Sequence, residues 1–413
     1  MLGGSRPRQG VRCHAGRPAR RAAAAGPRSV PARRGPAPDA RGGRRPDHRR
    51  TAPRARLGSP LRVGGVNAVP TRRFATPAQF AQAGVAGRGT PAEIAEVARR
   101  HALGLTPALA ALIDRDDPAD PIARQFAPDA AELVDLPDED PDPTADLPFT
   151  PVRGIVHRHA DRALLKATTS CDVYCRFCFR RESVGPGGEG TLSERELDAA
   201  FAYLASRREL FEVIVTGGDP FALSTRRVAA LAARLDALDH VKVVRWHTRG
   251  PVAAPGRIDG DFARALRSKA GKAVYVAVHA NHARELTPDA AAACARLIED
   301  GGAALVSQSV LLRGVNDSVE ALDALMRAFL AARIKPYYLH HLDRAPGTSH
   351  FRVPADEGRA LMRALRRRLS GLAMPTYVVD LPGGGGKAPL GPAYFDGDRA
   401  EDLFGATRSF DGG

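Results

Sequence analysis

Residues 163–181 read ALLKATTSCDVYCRFCFRR. The first part is a short apolar run ending in β-branched threonines, which predicts a strand. The second part is a loop carrying Cys171, Cys175 and Cys178 at C-x3-C-x2-C spacing. A strand thus delivers three soft thiolates to one loop at its end. Such a set suits a cluster of iron and sulfide, or zinc. A structural zinc site ordinarily takes four protein ligands, and the two remaining cysteines, Cys13 and Cys294, lie far off in the chain. A histidine could complete a zinc site, so zinc stays as the alternative. Three ligands on a four-iron cluster leave one iron open to another molecule. Five cysteines in an odd, clustered arrangement make a poor disulfide framework, which points to a reducing, cytoplasmic setting.

Outward from this stretch the pattern is regular. Apolar, β-branched runs occupy 163–169, 211–216, 241–247, 273–279, 303–311, 334–340 and 376–380. Ala/Leu/Arg segments of helical period lie between most of them, at 193–208, 222–238, 260–270, 287–300, 317–331 and 355–370. Strand alternating with helix predicts an α/β fold with a parallel sheet and right-handed crossovers. Six or seven units suggest a barrel or partial (β/α) barrel, where chemistry gathers at the C-terminal ends of the strands. Thr168, Asp219, His247, His279, Gln308, His340 and Asp380 sit at those ends.

Ahead of the barrel, residues 75–114 read as short helices, with Thr76-Pro77 and Thr90-Pro91 as start signals. Residues 116–148, including LPDEDPDPTADLP at 136–148, read as an acidic, Pro-rich loop over the surface. The expected division is a disordered extension at 1–56, a helical region and acidic linker at 57–148, the partial barrel at 149–395 and a short tail at 396–413.

The net charge of +15 divides unevenly. Residues 1–56 hold 16 arginines against Asp39 and Asp47, a balance of +14, while the remaining 357 residues carry only +1. A near-neutral body argues against a nucleic-acid groove. No stretch approaches ~18 uninterrupted apolar residues, so no membrane span is expected. The basic arm reads as a nucleic-acid arm, a transit peptide or an over-extended start, and a dispensable extension is favoured.

Two glycine motifs follow strands. In Thr216-Gly217-Gly218-Asp219-Pro220, the glycines let the backbone approach a ligand, and Asp219 can accept from an ammonium. Pro382-Gly383-Gly384-Gly385-Gly386-Lys387 fails as a phosphate-binding P-loop. Leu381 stands where its first glycine belongs, and Ala388 where its hydroxyl belongs. A lysine on a flexible glycine loop can instead form a Schiff base with a carbonyl cofactor.

SCDVYCRFCFRR resembles the signature of the radical S-adenosylmethionine (SAM) superfamily. HRHADR at 157–162, TGGDP at 216–220, SQSVLLRGVND at 307–317, KPYYLHHLD at 335–343 and VDLPGGGGK at 379–387 narrow the resemblance. They resemble the lysine 2,3-aminomutase family, which includes the branch that makes β-lysine for elongation factor P. The resemblance runs over roughly residues 75–395.

It implies a radical SAM partial barrel and three cofactors: a 4Fe–4S cluster, SAM and pyridoxal 5'-phosphate (PLP). By it, Cys171, Cys175 and Cys178 hold the cluster, and Gly217, Gly218 and Asp219 take the SAM amino group. His279, Asn281 and His282 match another stretch that contacts SAM. Lys387 matches the lysine that anchors PLP, Arg158 and Arg162 its phosphate ligands, and Gln308 a residue near the pyridoxal ring. Asp343 and Asp380 match the two acids that bind the distal ammonium of lysine, and Arg180 the arginine for the substrate carboxylate. Relatives acting on glutamate lack the acidic pair, so conversion of L-lysine to β-lysine by 1,2-amino migration is the implied activity. An electron donor such as flavodoxin or ferredoxin is the implied partner, and a homo-oligomer is compatible with the resemblance. No cysteine follows Cys294, so the C-terminal zinc of clostridial-type members has no thiolates here.

Overall fold

The structure is a computed structural model that describes residues 73–409. The readings of 1–56, and of the first residues of the 57–148 region, lie outside the described residues.

Nine strands form one sheet in sequential order. They are β1 (Ile155–His159), β2 (Arg162–Thr168), β3 (Glu212–Gly217), β4 (Val243–Thr248), β5 (Ala273–His279), β6 (Ala304–Val310), β7 (Lys335–His340), β8 (Thr376–Leu381) and β9 (Gly386–Pro389). β2 through β8 pair in parallel, and each edge carries one antiparallel strand, β1 against β2 and β9 against β8. The seven central strands are those expected from the apolar runs. The edge strands were not expected. β1 and β2 are joined around Asp161, so HRHADR is a hairpin.

Alternation along the strands explains both faces of the sheet. Val213, Val215, Val244, Trp246, Val276, Val278, Leu305 and Leu339 are buried in the core under the crossover helices. The intervening residues, among them Ile214, Thr216, Arg245, His247, Ala277, His279, Gln308, Tyr338 and His340, line a cavity on the other face. Successive side chains of a strand point to opposite faces, so each strand supplies one apolar row and one chemical row. Trp246, fully buried, anchors the core row, and its truncation to alanine would cost roughly 3–5 kcal/mol.

Five of the crossover helices start on side-chain caps. Ser193, Ser224, Asp259, Thr287 and Ser318 each accept from a backbone N–H of the following turn. Thr90 and Glu93 close a capping box ahead of Pro91–Arg100.

The acidic segment departs from its reading as a surface loop. It contains a helix, Pro121–Phe126, and a 3-10 turn, Ala130–Leu133. Asp120, Gln125, Glu132, Thr144 and Asp146 are buried. Its carboxylates go inside because buried arginines of the barrel need counter-charges. The expected tail also has structure: Phe395–Asp396, Arg399–Glu401 and Thr407–Ser409 form a small antiparallel sheet.

Candidate functional site

A cavity of about 640 Å3 runs along the inner face of the sheet. It brings together Cys171, Cys175, Cys178, Arg158, Arg162, Arg180, Gly217, Gly218, Asp219, His279, Gln308, Asp343, Asp380 and Lys387. Asn281 and His282 are not among its lining residues. Asn281 is fully buried and structural: its side chain donates to Gln125 Oε1 (3.1 Å) and accepts from Val310 N (2.8 Å). His282 caps a 3-10 turn, and its N–H donates to Glu285 Oε1 (3.0 Å). Those two residues serve the wall behind the site, because the chain turns away from the cavity after His279.

At one end lies the cysteine loop. Burial pushes all three thiols up, Cys178 to about 11. Buried thiols of this kind lose their protons when a metal takes them. Among the described residues, no three or more His, Cys, Asp or Glu side chains converge closely enough to hold a single ion. Three soft thiolates on one loop at the cavity are a donor set that fits an iron–sulfur cluster. The loop is held by an ionic knot. Arg176 Nε donates to Glu132 Oε1 (2.9 Å) and Oε2 (3.1 Å), and Arg181 also donates to Glu132. Burial raises the Glu132 carboxyl, but Arg176 and Arg181 outweigh it and hold it at about 2.

The β3 turn packs directly on this loop. A Cβ on Gly217 would meet Thr168 O at 2.4 Å, and one on Gly218 would meet Ser170 O at 2.4 Å. The glycines therefore serve chain-to-chain approach as well as any ligand. Asp219 is occupied too. It accepts from Phe221 N (2.9 Å), Thr248 Oγ1 (2.7 Å) and Arg249 N (2.8 Å), and complete burial still raises it to about 6. Its first task is to fasten the β3 and β4 turns together.

At the other end, Lys387 lies on β9, directly opposite Asp380 on β8. That corrects the flexible-loop reading: backbone pairing fixes the lysine, and only the turn before it is glycine-rich. Gly384 in that turn has φ +80°, and a Cβ there would meet Phe149 at 2.3 Å. Lys387 Nζ donates to both Asp380 oxygens at 2.7 Å. His340 Nδ1 stands 3.6 Å from the same carboxylate. Burial raises Asp380, but His340 and Lys387 outweigh it and hold it well below the carboxylate range. Asp343 is the opposite case. Burial, then the nearby Asp380 charge, pushes it up to about 7.

The arginines that line the cavity have partners of their own. Arg158 donates to Thr144 O and to Asp146 Oδ1 (3.2 Å), and Arg180 Nε donates to Asp146 Oδ2 (3.0 Å). Arg162 pairs with the adjacent Asp161 at 2.7 Å. Sequence reasoning missed Asp146, Glu132, Arg249, Arg245, Tyr337 and Tyr338, which hold or line the cavity. Strand alternation carried a signal for Arg245, two residues before His247. The buried acids, inside a Pro-rich stretch without periodicity, had none.

Comparison with known proteins agrees with this arrangement. Residues 165–326 match the radical SAM superfamily, and residues 362–410 match the C-terminal lysine-2,3-aminomutase family. The chain is 37% identical to L-lysine 2,3-aminomutase of Clostridium subterminale over 301 residues, 73% of this chain and 71% of that protein. It is 39% identical to a putative L-lysine 2,3-aminomutase of Aquifex aeolicus, over 71% of this chain and 79% of that one. It is also 36% identical to glutamate 2,3-aminomutase of Clostridioides difficile, over 73% of this chain and 70% of that one. Radical SAM enzymes of this kind use a 4Fe–4S cluster, SAM and PLP. A cavity with three thiols at one end and a lysine at the other, inside a nine-stranded open barrel, thus sits in an isomerase: the chain belongs to the lysine 2,3-aminomutase family of radical SAM enzymes.

Proposed function

We propose that this chain converts L-lysine to β-lysine, with Asp343 and Asp380 selecting the distal ammonium. The observation that carries the reading is the placement of both acids in the cavity that also holds Lys387 and the three cysteines. When bound, the cluster and SAM supply a hydrogen-abstracting radical, and PLP supplies the π-system across which nitrogen moves.

The protein's part is to bind and orient. Cys171, Cys175 and Cys178 would hold the cluster, and Lys387 would hold PLP through Nζ. Arg158 and Arg162 would neutralise the cofactor phosphate, and Arg180 the substrate carboxylate, as planar donors suited to those anions. Gln308 would lie beside the pyridine ring, and Gly217, Gly218, Asp219 and His279 would border SAM. Asp380 now holds the ammonium of Lys387. Once Lys387 engages a carbonyl, the same carboxylate is free for the ammonium of a substrate lysine. An anionic side chain would meet two carboxyls instead, which disfavours glutamate.

No helix among the described residues is long and apolar enough to cross a membrane. Free cysteines suit the reducing cytoplasm, where a flavodoxin or ferredoxin can supply single electrons.

The test is spectroscopic. Protein reconstituted with PLP should show the absorbance of the covalently held cofactor, and Lys387→Ala should abolish it. Retention of that covalent absorbance in the variant would refute the assignment of Lys387.

A further inference from the structure

We infer that Arg249 is a positioning residue for the cluster, whose hydrogen bond to the Cys175 sulfur raises the cluster's reduction potential. Arg249 follows β4 and is nearly fully buried. Its Nη1 donates to Cys175 Sγ at 3.1 Å. Its Nη2 donates to Gln125 Oε1 at 2.6 Å and to Glu285 Oε2 at 2.5 Å. The guanidinium also lies over the rings of Phe126 (4.7 Å) and Phe177 (5.8 Å). Its own backbone N–H is tied to Asp219. Every contact fixes the fork so that one edge faces sulfur.

The selectivity of the contact supports a role in tuning. Cys178 takes a backbone N–H from Arg180. Among the described residues, no side chain other than Arg249 donates to any of the three cysteine sulfurs.

The sign follows from charge. Reduction adds one negative charge, spread partly over the sulfurs. A donor N–H and a cation 3.1 Å from one sulfur stabilise that form more than the oxidised form. Glu285 balances the charge from the far side, yet the positive end of the pair is the one touching sulfur. The redox step is the one-electron reduction of the cluster by a low-potential donor, dithionite in the test. No bond in the protein forms or breaks.

The inference rests on Cys175 being a cluster ligand. That assignment has a separate check: Cys175→Ala should lose iron on reconstitution. Full iron retention there would refute the ligand assignment instead.

The experiment is an EPR-monitored redox titration of reconstituted holoenzyme without SAM, comparing wild type, Arg249→Gln and Arg249→Lys. The midpoint is read per cluster, so lower occupancy leaves the comparison intact. Arg249→Gln should shift the midpoint to lower potential. Arg249→Lys, which keeps the charge with shorter reach, should shift it less, and this variant carries the test if the first takes up no cluster. An unchanged or higher midpoint in the variants would overturn the inference.

Discussion

The two ends of the cavity are built differently. At the cysteine end, the charged side chains that hold the loop are already paired and buried: Glu132 with Arg176 and Arg181, and Glu285 with Arg249. At the lysine end the pairs can be exchanged. Lys387 is about a third exposed on its carboxylate, and Asp343 has no hydrogen-bond partner among the described residues. A resident cluster needs a rigid frame, whereas a substrate must enter, displace one partner and leave. Burial therefore stabilises at one end and sets up binding at the other.

This contrast can be broken from either side. The largest effects should come from Cys178→Ala and Lys387→Ala, each abolishing turnover with its own signature. Iron analysis should show loss in the first with PLP absorbance kept, and the reverse in the second. Loss of both cofactors in both variants would mean that the ends are not independent.

Glu132→Gln is next. It leaves Arg176 and Arg181 without a full counter-charge, at about 3–5 kcal/mol by analogy with broken buried pairs. Denaturant unfolding and iron content should both fall, and an unchanged unfolding midpoint would deny the knot its role.

Asp343→Ala should act on binding alone. Removing one carboxylate from the proposed ammonium site should lower kcat/KM for lysine by about 10²–10³-fold, with little loss of folding stability. An equal loss of thermal stability would make Asp343 structural.

The smallest effect is a slope. With Asp343 at about 7, lysine must expel a proton from it at lower pH. Affinity should weaken by about tenfold per unit as pH falls below that value, and Asp343→Asn should flatten the profile. For stability the sign is opposite. The raised carboxyl favours the folded state at pH below its ordinary 3.8, and this contribution is lost as pH rises through about 7.

The sequence made the barrel legible because period-2 apolar runs and capped helices are local signals. It also singled out Cys171, Cys175, Cys178 and Lys387 by their motifs, and the structure brings all four into one cavity. Three of the features the sequence did not show illustrate why, each for a physical reason. β9 is four residues long and follows glycines, so its pairing with β8 depends on a contact and not on propensity. Asp146 and Glu132 lie in a stretch whose composition reads as solvated, and only their distant arginine partners reveal burial. Asn281 and His282 followed a strand end beside His279, but local turning points them behind the wall.

The central claim is that this cavity isomerises an amino acid with a distal ammonium. It is tested most directly by anaerobic incubation of the reconstituted enzyme with SAM, PLP, a one-electron reductant and a panel of amino acids. NMR and chiral analysis of the products would follow. The account predicts that lysine becomes β-lysine while glutamate is left unchanged. Turnover of glutamate or another amino acid, with lysine untouched, would contradict it.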